Sequence, residues 1–170
     1  MRIHRFVGLL VTLFIACSPP PPPPAPGESA PDADGFFAPS RATEESQAKT
    51  AAALPLADPQ DLQDAKRGFL GADADLVVRS ADGKPIWDMT AYRFETGDPP
   101  ASVNPSLWRQ AQVNALHGLF EVVDGIYQVR GYDVSNMTWI RGASGWIVVD
   151  PLTSEETAAA AAALARKHLG

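Results

Sequence analysis

Between residues 120 and 152 the chain alternates apolar runs with polar turns. Residues 126–129 (IYQV), 137–140 (MTWI) and 146–149 (WIVV) are short, rich in β-branched and aromatic side chains, and bounded by Gly, Asp, Ser and Asn. That pattern predicts consecutive strands of one sheet. The last run has no polar alternation, which predicts a strand covered on both faces. Asp150 then stands at the carboxyl end of a buried strand, where α/β folds commonly place ligands.

Upstream, helical periodicity takes over. Residues 40–53 (SRATEESQAKTAAA) predict a helix capped by Ser40, with Glu44 and Glu45 in its first turn. Few large apolar residues hold it down, so a loosely docked arm is expected. A shorter helix is predicted up to Arg67, with Asp58 as cap, Pro59 at the first position and Gly68 as stop. Residues 76–79 and 85–88 flank Ala81-Asp82-Gly83-Lys84, a hairpin signal, with Trp87 and Tyr92 as packing anchors. A third helix opens at Asn104-Pro105 and is expected to run to His117, with Gly118 as its C-cap and Arg109 and Gln110 contacting the sheet edge. His117 reads as a cation at a helix C-terminus rather than as a metal ligand, because no second ligand stands at the needed spacing.

Downstream, Thr153-Ser154-Glu155-Glu156 reads as a capping box with Thr153 as cap and Glu156 reaching back. Residues 157–168 (TAAAAAALARKH) are strongly helical, end on three basic residues, and present a smooth alanine face suited to lying against a sheet. The architecture predicted is α/β (α+β).

The first residues change the picture of how much of the chain folds. Arg2 and Arg5 precede FVGLLVTLFIA, an apolar run too short to span a membrane comfortably and of the size of a signal-peptide core. It ends in Ala16-Cys17, which resembles the bacterial lipobox; a plain cleavable signal is the alternative. Acylation of Cys17 implies an exported, periplasmic or outer-membrane lipoprotein held to the membrane by its lipid, and Ser18 suits outer-membrane sorting. Six consecutive prolines at 19–24 favour a polyproline II spacer, and the stretch to residue 39 is too polar and proline-rich to build a core. The organisation expected is therefore a signal segment over 1–17, a disordered linker over 18–39, a helical arm with a hairpin over 40–119, and a sheet domain over 120–170.

In 170 residues the net charge is −6 and the basic residues are scattered, which argues against nucleic acid as a partner. Cys17 is the one cysteine, so neither an internal disulfide nor a cysteine-based zinc site forms.

The segments VNPSLWRQAQ (103–112), GLFEV (118–122), DGIYQVRGYD (124–133), SNMT (135–138) and GWIVVDPL (145–152) together resemble the N-terminal part of the alkyl and aryl sulfatases with a metallo-β-lactamase fold. DLQDAKRGF (61–69) and Trp87-Asp88 resemble the arm that precedes that family's catalytic domain. The resemblance implies the start of an αββα sandwich. It also implies two zinc ions that activate a water for cleavage of alkyl sulfate esters to an alcohol and sulfate. The family's first metal ligands come from a His-x-His-x-Asp-His run after the helix that begins near Thr153. No such run is present: the histidines are His4, His117 and His168.

Accordingly no catalytic or metal-ligating residue is assigned, and no cofactor is expected in this chain. A homodimer is expected only where the family's dimerisation region is present. By resemblance the loop Gly131-Tyr132-Asp133-Val134-Ser135-Asn136 lies near the metal cleft, with Tyr132, Asp133, Ser135 and Asn136 as substrate-proximal candidates. A plain turn whose polar side chains bond local backbone explains the same residues. Asp150 either supports metal ligands or simply ends its strand. The expectation is an inactive N-terminal piece of an exported alkylsulfatase; a noncatalytic envelope lipoprotein or one half of a split enzyme are the alternatives.

Overall fold

The computed structural model describes residues 31, 33 and 37–170. The signal segment, Cys17 and the proline run lie outside the described residues. No helix among the described residues is long and apolar enough to cross a membrane. Residues 39–170 form one compact unit.

Its elements follow in chain order as α1 (Arg41–Ala53), α2 (Gln60–Lys66), β1 (Phe69–Gly71), β2 (Val77–Arg79), β3 (Pro85–Asp88), a 3-10 turn (Met89–Tyr92), α3 (Pro105–Asn114), β4 (Gly118–Val123), β5 (Ile126–Arg130), β6 (Met137–Arg141), β7 (Trp146–Val149) and α4 (Glu155–Leu169). A five-stranded antiparallel sheet has the order β1-β4-β5-β6-β7, and β2 and β3 form a separate hairpin.

Side-chain alternation gives the large sheet two unlike faces. Register aligns Leu119 with Val129 and Val129 with Met137, and all three are buried. Against them α4 lays Thr157, Ala161, Leu164 and Ala165, an i, i+4, i+7, i+8 stripe whose small alanines let the helix axis approach the sheet closely. Leu76 and Val78 of the hairpin side close the same core. The opposite face carries the row Ile126, Ile140, Ile147. Here the structure corrects the expectation for β7. It is an edge strand with Ile147 59% and Val149 51% exposed, so its uninterrupted apolar run reflects no second layer within the described residues.

Strands β5, β6 and β7 start where the sequence predicts, and Ser40 caps α1 by accepting from the Thr43 N–H at 3.2 Å. Other boundaries differ. Helix α3 ends at Asn114 instead of running to His117, and Gly118 opens β4 at φ 138° rather than capping the helix. The cap of α4 is Ser154, not Thr153, and its box partner is Thr157, not Glu156. Thr153 is unavailable because its hydroxyl donates to Asp133. Arg109 reaches α2 rather than the sheet edge, donating to both carboxylate oxygens of Asp61 at 2.8–3.1 Å and to the Asp58 carbonyl at 2.8 Å. That guanidinium holds the Asp61 carboxyl below its ordinary value. Gln110 instead bonds Asn114 along its own helix.

Candidate functional site: the 131–136 loop and its cavity

The loop between β5 and β6 begins at Gly131, whose φ of 72° is costly for any residue with a side chain. A Cβ there would also meet the Cβ of His117 at 2.5 Å. Sharp reversal at this point turns the next two side chains inward.

Tyr132 is fully buried; its hydroxyl donates to the Asp73 carboxylate at 2.9 Å and accepts from the Asp73 N–H at 3.3 Å. Burial, reinforced by the bond to Asp73, pushes its phenol well above the ordinary range. Asp133 is 6% exposed. Its carboxylate accepts from the Thr157 hydroxyl at 2.6 Å, from the Thr153 hydroxyl at 2.7–2.8 Å, and from the N–H groups of Thr153 and Val134 at 2.9 and 2.6 Å. Burial by itself raises this carboxyl, but the donated bonds outweigh it and the net direction is downward. Asp133 thus ties the loop to the N-terminal turn of α4, where the helix dipole favours a negative charge.

The second half of the loop faces outward. Ser135 is half-buried and donates to Asp150 at 3.2 Å, and Asn136 is exposed. Asp150 also accepts from the Leu152 N–H at 3.1 Å and sits at φ 58°, with Leu152 at 73°. Two left-handed side-chain-bearing residues around Pro151 are a strained turn, of a kind that clusters at functional segments.

Beside the loop lies a cavity of about 510 Å3. Trp87, Met89, Tyr92 and Val113 give it apolar walls, and Arg130, Asp133, Asn136 and Glu95 contribute polar groups. The indole N–H of Trp87 donates to the Gly131 carbonyl at 2.8 Å, so the hairpin anchor and the loop position each other. Of the four candidate loop residues, then, Tyr132 and Asp133 are bound into the interior, whereas Ser135 and Asn136 remain accessible. Thr153, Thr157 and Arg130 escaped the sequence reading. Thr153 reads as the cap of a helix, Thr157 as the first residue of its helical run, and Arg130 as the position just past the predicted strand 126–129.

Among the described residues no group of three or more His, Cys, Asp or Glu side chains converges to hold a metal ion. The donors that are present do not fit a zinc pair. Both ring nitrogens of His117 face carbonyl oxygens, Ala115 at 3.2 Å and Asp73 at 3.0 Å. His168 lies against Gly71, and Asp133 is enclosed by its own donors.

No family model matches the sequence. Individual relatives do. Over 116 residues the chain is 47% identical to the alkyl/aryl-sulfatase BDS1 of Saccharomyces cerevisiae, covering 68% of this chain and 18% of that protein. It is 48% identical over 116 residues to an (R)-specific secondary-alkylsulfatase of Pseudomonas sp., covering 68% of this chain and 17% of that one. The solved structure of the stereoselective inverting sec-alkylsulfatase Pisa1 from Pseudomonas sp. superposes with a TM-score of 0.71 at 45% identity, covering 76% of this chain and 20% of that one. The chain thus spans less than a fifth of the length of the curated relatives it matches. With fold and sequence in agreement at this level, the chain belongs to the alkyl/aryl-sulfatase family, and it corresponds to the family's N-terminal part.

Proposed function

We propose that this chain serves the hydrolysis of alkyl sulfate esters to alcohol and sulfate as a scaffold portion of a sulfatase, and that by itself it does not turn substrate over. The observation that carries the reading is the 45–48% identity to alkylsulfatases over more than two thirds of the chain. What it contributes is the sheet β1-β4-β5-β6-β7, the helix α4 beneath it, and the 131–136 loop as one wall of a cleft. The zinc ions expected of the family find no fitting donor set among the described residues, so no step of the reaction is assigned to these side chains.

The reading includes export and acylation of Cys17, supported by the apolar run FVGLLVTLFIA that ends at Ala16-Cys17. Labelled palmitate incorporated by the native chain and not by Cys17→Ser is the expected result. Catalysis is tested by sulfate release from octyl sulfate, first with the chain alone and then with a polypeptide carrying the other four fifths of an alkylsulfatase. No release alone and release on complementation are expected. Failure of complementation with both parts folded would leave a noncatalytic envelope module as the better account.

A further inference from the structure

Strand β7 ends the large sheet, and among the described residues no strand pairs with its outer side. Its register with β6 decides which backbone groups face outward. The turn at residues 143–144 is closed by the Gly142 N–H donating to the Gly145 carbonyl at 2.7 Å, and beyond it Ile140 aligns with Ile147 and Thr138 with Val149. Hydrogen-bonded pairs alternate along an antiparallel ladder. The backbone groups of Gly145, Ile147 and Val149 therefore face β6, and the N–H and C=O of Trp146 and Val148 point to the open side.

Natural edges are blunted by charge, proline or a bulge. β7 has none of these, and its register against β6 runs without a shift. The other edge, β1, is three residues long and its register against β4 shifts between Phe69 and Gly71. We infer that β7 is the seam of a two-fold dimer between two copies of this chain, the strands antiparallel and centred on Ile147. With β7 used up and β1 blunted, the assembly closes at two copies instead of growing into a fibre.

The centre follows from the backbone. On Ile147, Trp146 meets the partner's Val148 and Val148 meets the partner's Trp146, each pair exchanging both of its N–H···O=C bonds. On Val148, Trp146 would meet the partner's Asp150, whose φ of 58° takes it out of the extended chain. On Trp146, Val148 would meet the partner's Ser144 in the turn. Side chains agree with the first arrangement. Ile147 meets the partner's Ile147 and joins the rows Ile126, Ile140, Ile147 of both copies. Val149 meets the partner's Gly145, where a Cβ would touch nothing, so the valine has room. Asp150 is the single charge between residues 143 and 152 and meets the partner's Ser144. At a strand rise of about 3.4 Å per residue it stands about 20 Å from the partner's Asp150, beyond the Debye length of about 8 Å. A neutral edge that matches itself favours a second copy over a charged partner. One short strand per copy buries less than the roughly 1,200 Å2 of a tight complex, so the dimer exchanges, with a dissociation constant on the order of 10–100 μM. It does not rest on the sulfatase reading.

The test is sedimentation equilibrium of the full chain from about 1 to about 300 μM. A monomer–dimer equilibrium is expected. Ile147→Lys sets two cations opposite each other at a pair whose Cα atoms stand about 4.5 Å apart, and is expected to remain monomeric throughout. Val148→Pro removes one outward N–H from each copy and is expected to weaken the dimer roughly tenfold or more. If circular dichroism shows Val148→Pro unfolded, Ile147→Lys carries the test, its side chain being exposed in the single chain. The register is read by oxidation in a Cys17→Ser background: Ile147→Cys is expected to form a disulfide-linked dimer and Val149→Cys is not, because only position 147 meets itself. A native chain that stays monomeric, a dimer that persists in folded Ile147→Lys, species that keep growing beyond two copies, or equal cross-linking at 147 and 149 would overturn the seam.

Discussion

Asp133 shows how a polar loop residue becomes structural. A buried carboxylate with its acceptors filled is stable, whereas deleting it strands the Thr153 and Thr157 hydroxyls and two N–H groups. Asp133→Ala should cost about 2–4 kcal/mol in urea unfolding. The pH dependence follows from the lowered carboxyl. The unfolded chain binds the proton more readily, so the contribution is complete above about pH 4 and is lost as pH falls through the folded value. Unfolding at pH 6 and pH 3 should show the native chain losing more stability on acidification than Asp133→Asn. Trp139 is the opposite case, since its buried indole N–H has no partner. Trp139→Phe removes that orphan with little loss of ring area, and a change in stability within about 1 kcal/mol is expected. The sequence shows that this loop is polar. It does not show that Asp133 reaches Thr157, 24 residues away, because only the packing of α4 under the sheet brings them together.

At the scale of elements, legibility tracked local chemistry. Strands β5 to β7 and the caps at Ser40 and Asn104 were readable because a few adjacent residues determine them. Strands β1 and β4 were not. β1 is three residues long and exists through pairing with β4, whose partner residues lie about 50 positions away. The cap of α4 shifted by one residue because a tertiary bond to Asp133 claimed Thr153. Gly68 shows what the β1–β4 junction demands. Its φ is 72°, and a Cβ would stand 2.0 Å from the Glu121 carbonyl oxygen. Gly68→Ala should lower stability by about 1–3 kcal/mol, with loss of exchange protection in β1 and β4 before the rest of the sheet. Leu164 is 2% exposed in the α4–sheet core. Leu164→Ala should cost about 2–5 kcal/mol, measured the same way.

At the scale of the whole molecule, the β7 edge and sheet face left exposed among the described residues decide behaviour in solution. β7 has no charged residue and no proline within it, and Ile147, Val148 and Val149 are exposed. Such an edge is a template for further strands. The chain is expected to self-associate, and Val149→Lys to shift sedimentation toward monomer while leaving the melting temperature within a few degrees. The 131–136 segment was legible from sequence as a polar loop between two strands, but the cavity beside it was not. Its walls come from β3, α3 and the end of β5, which no local pattern joins. The proposal that these residues act as scaffold, with no side chains gathered to hold the reactive metal pair, is tested most directly by one experiment. Purified chain is equilibrated with zinc, dialysed, and measured together for bound metal and for sulfate released from octyl sulfate. Substoichiometric zinc and no release above the blank are predicted; two zinc ions per chain with turnover would contradict the account.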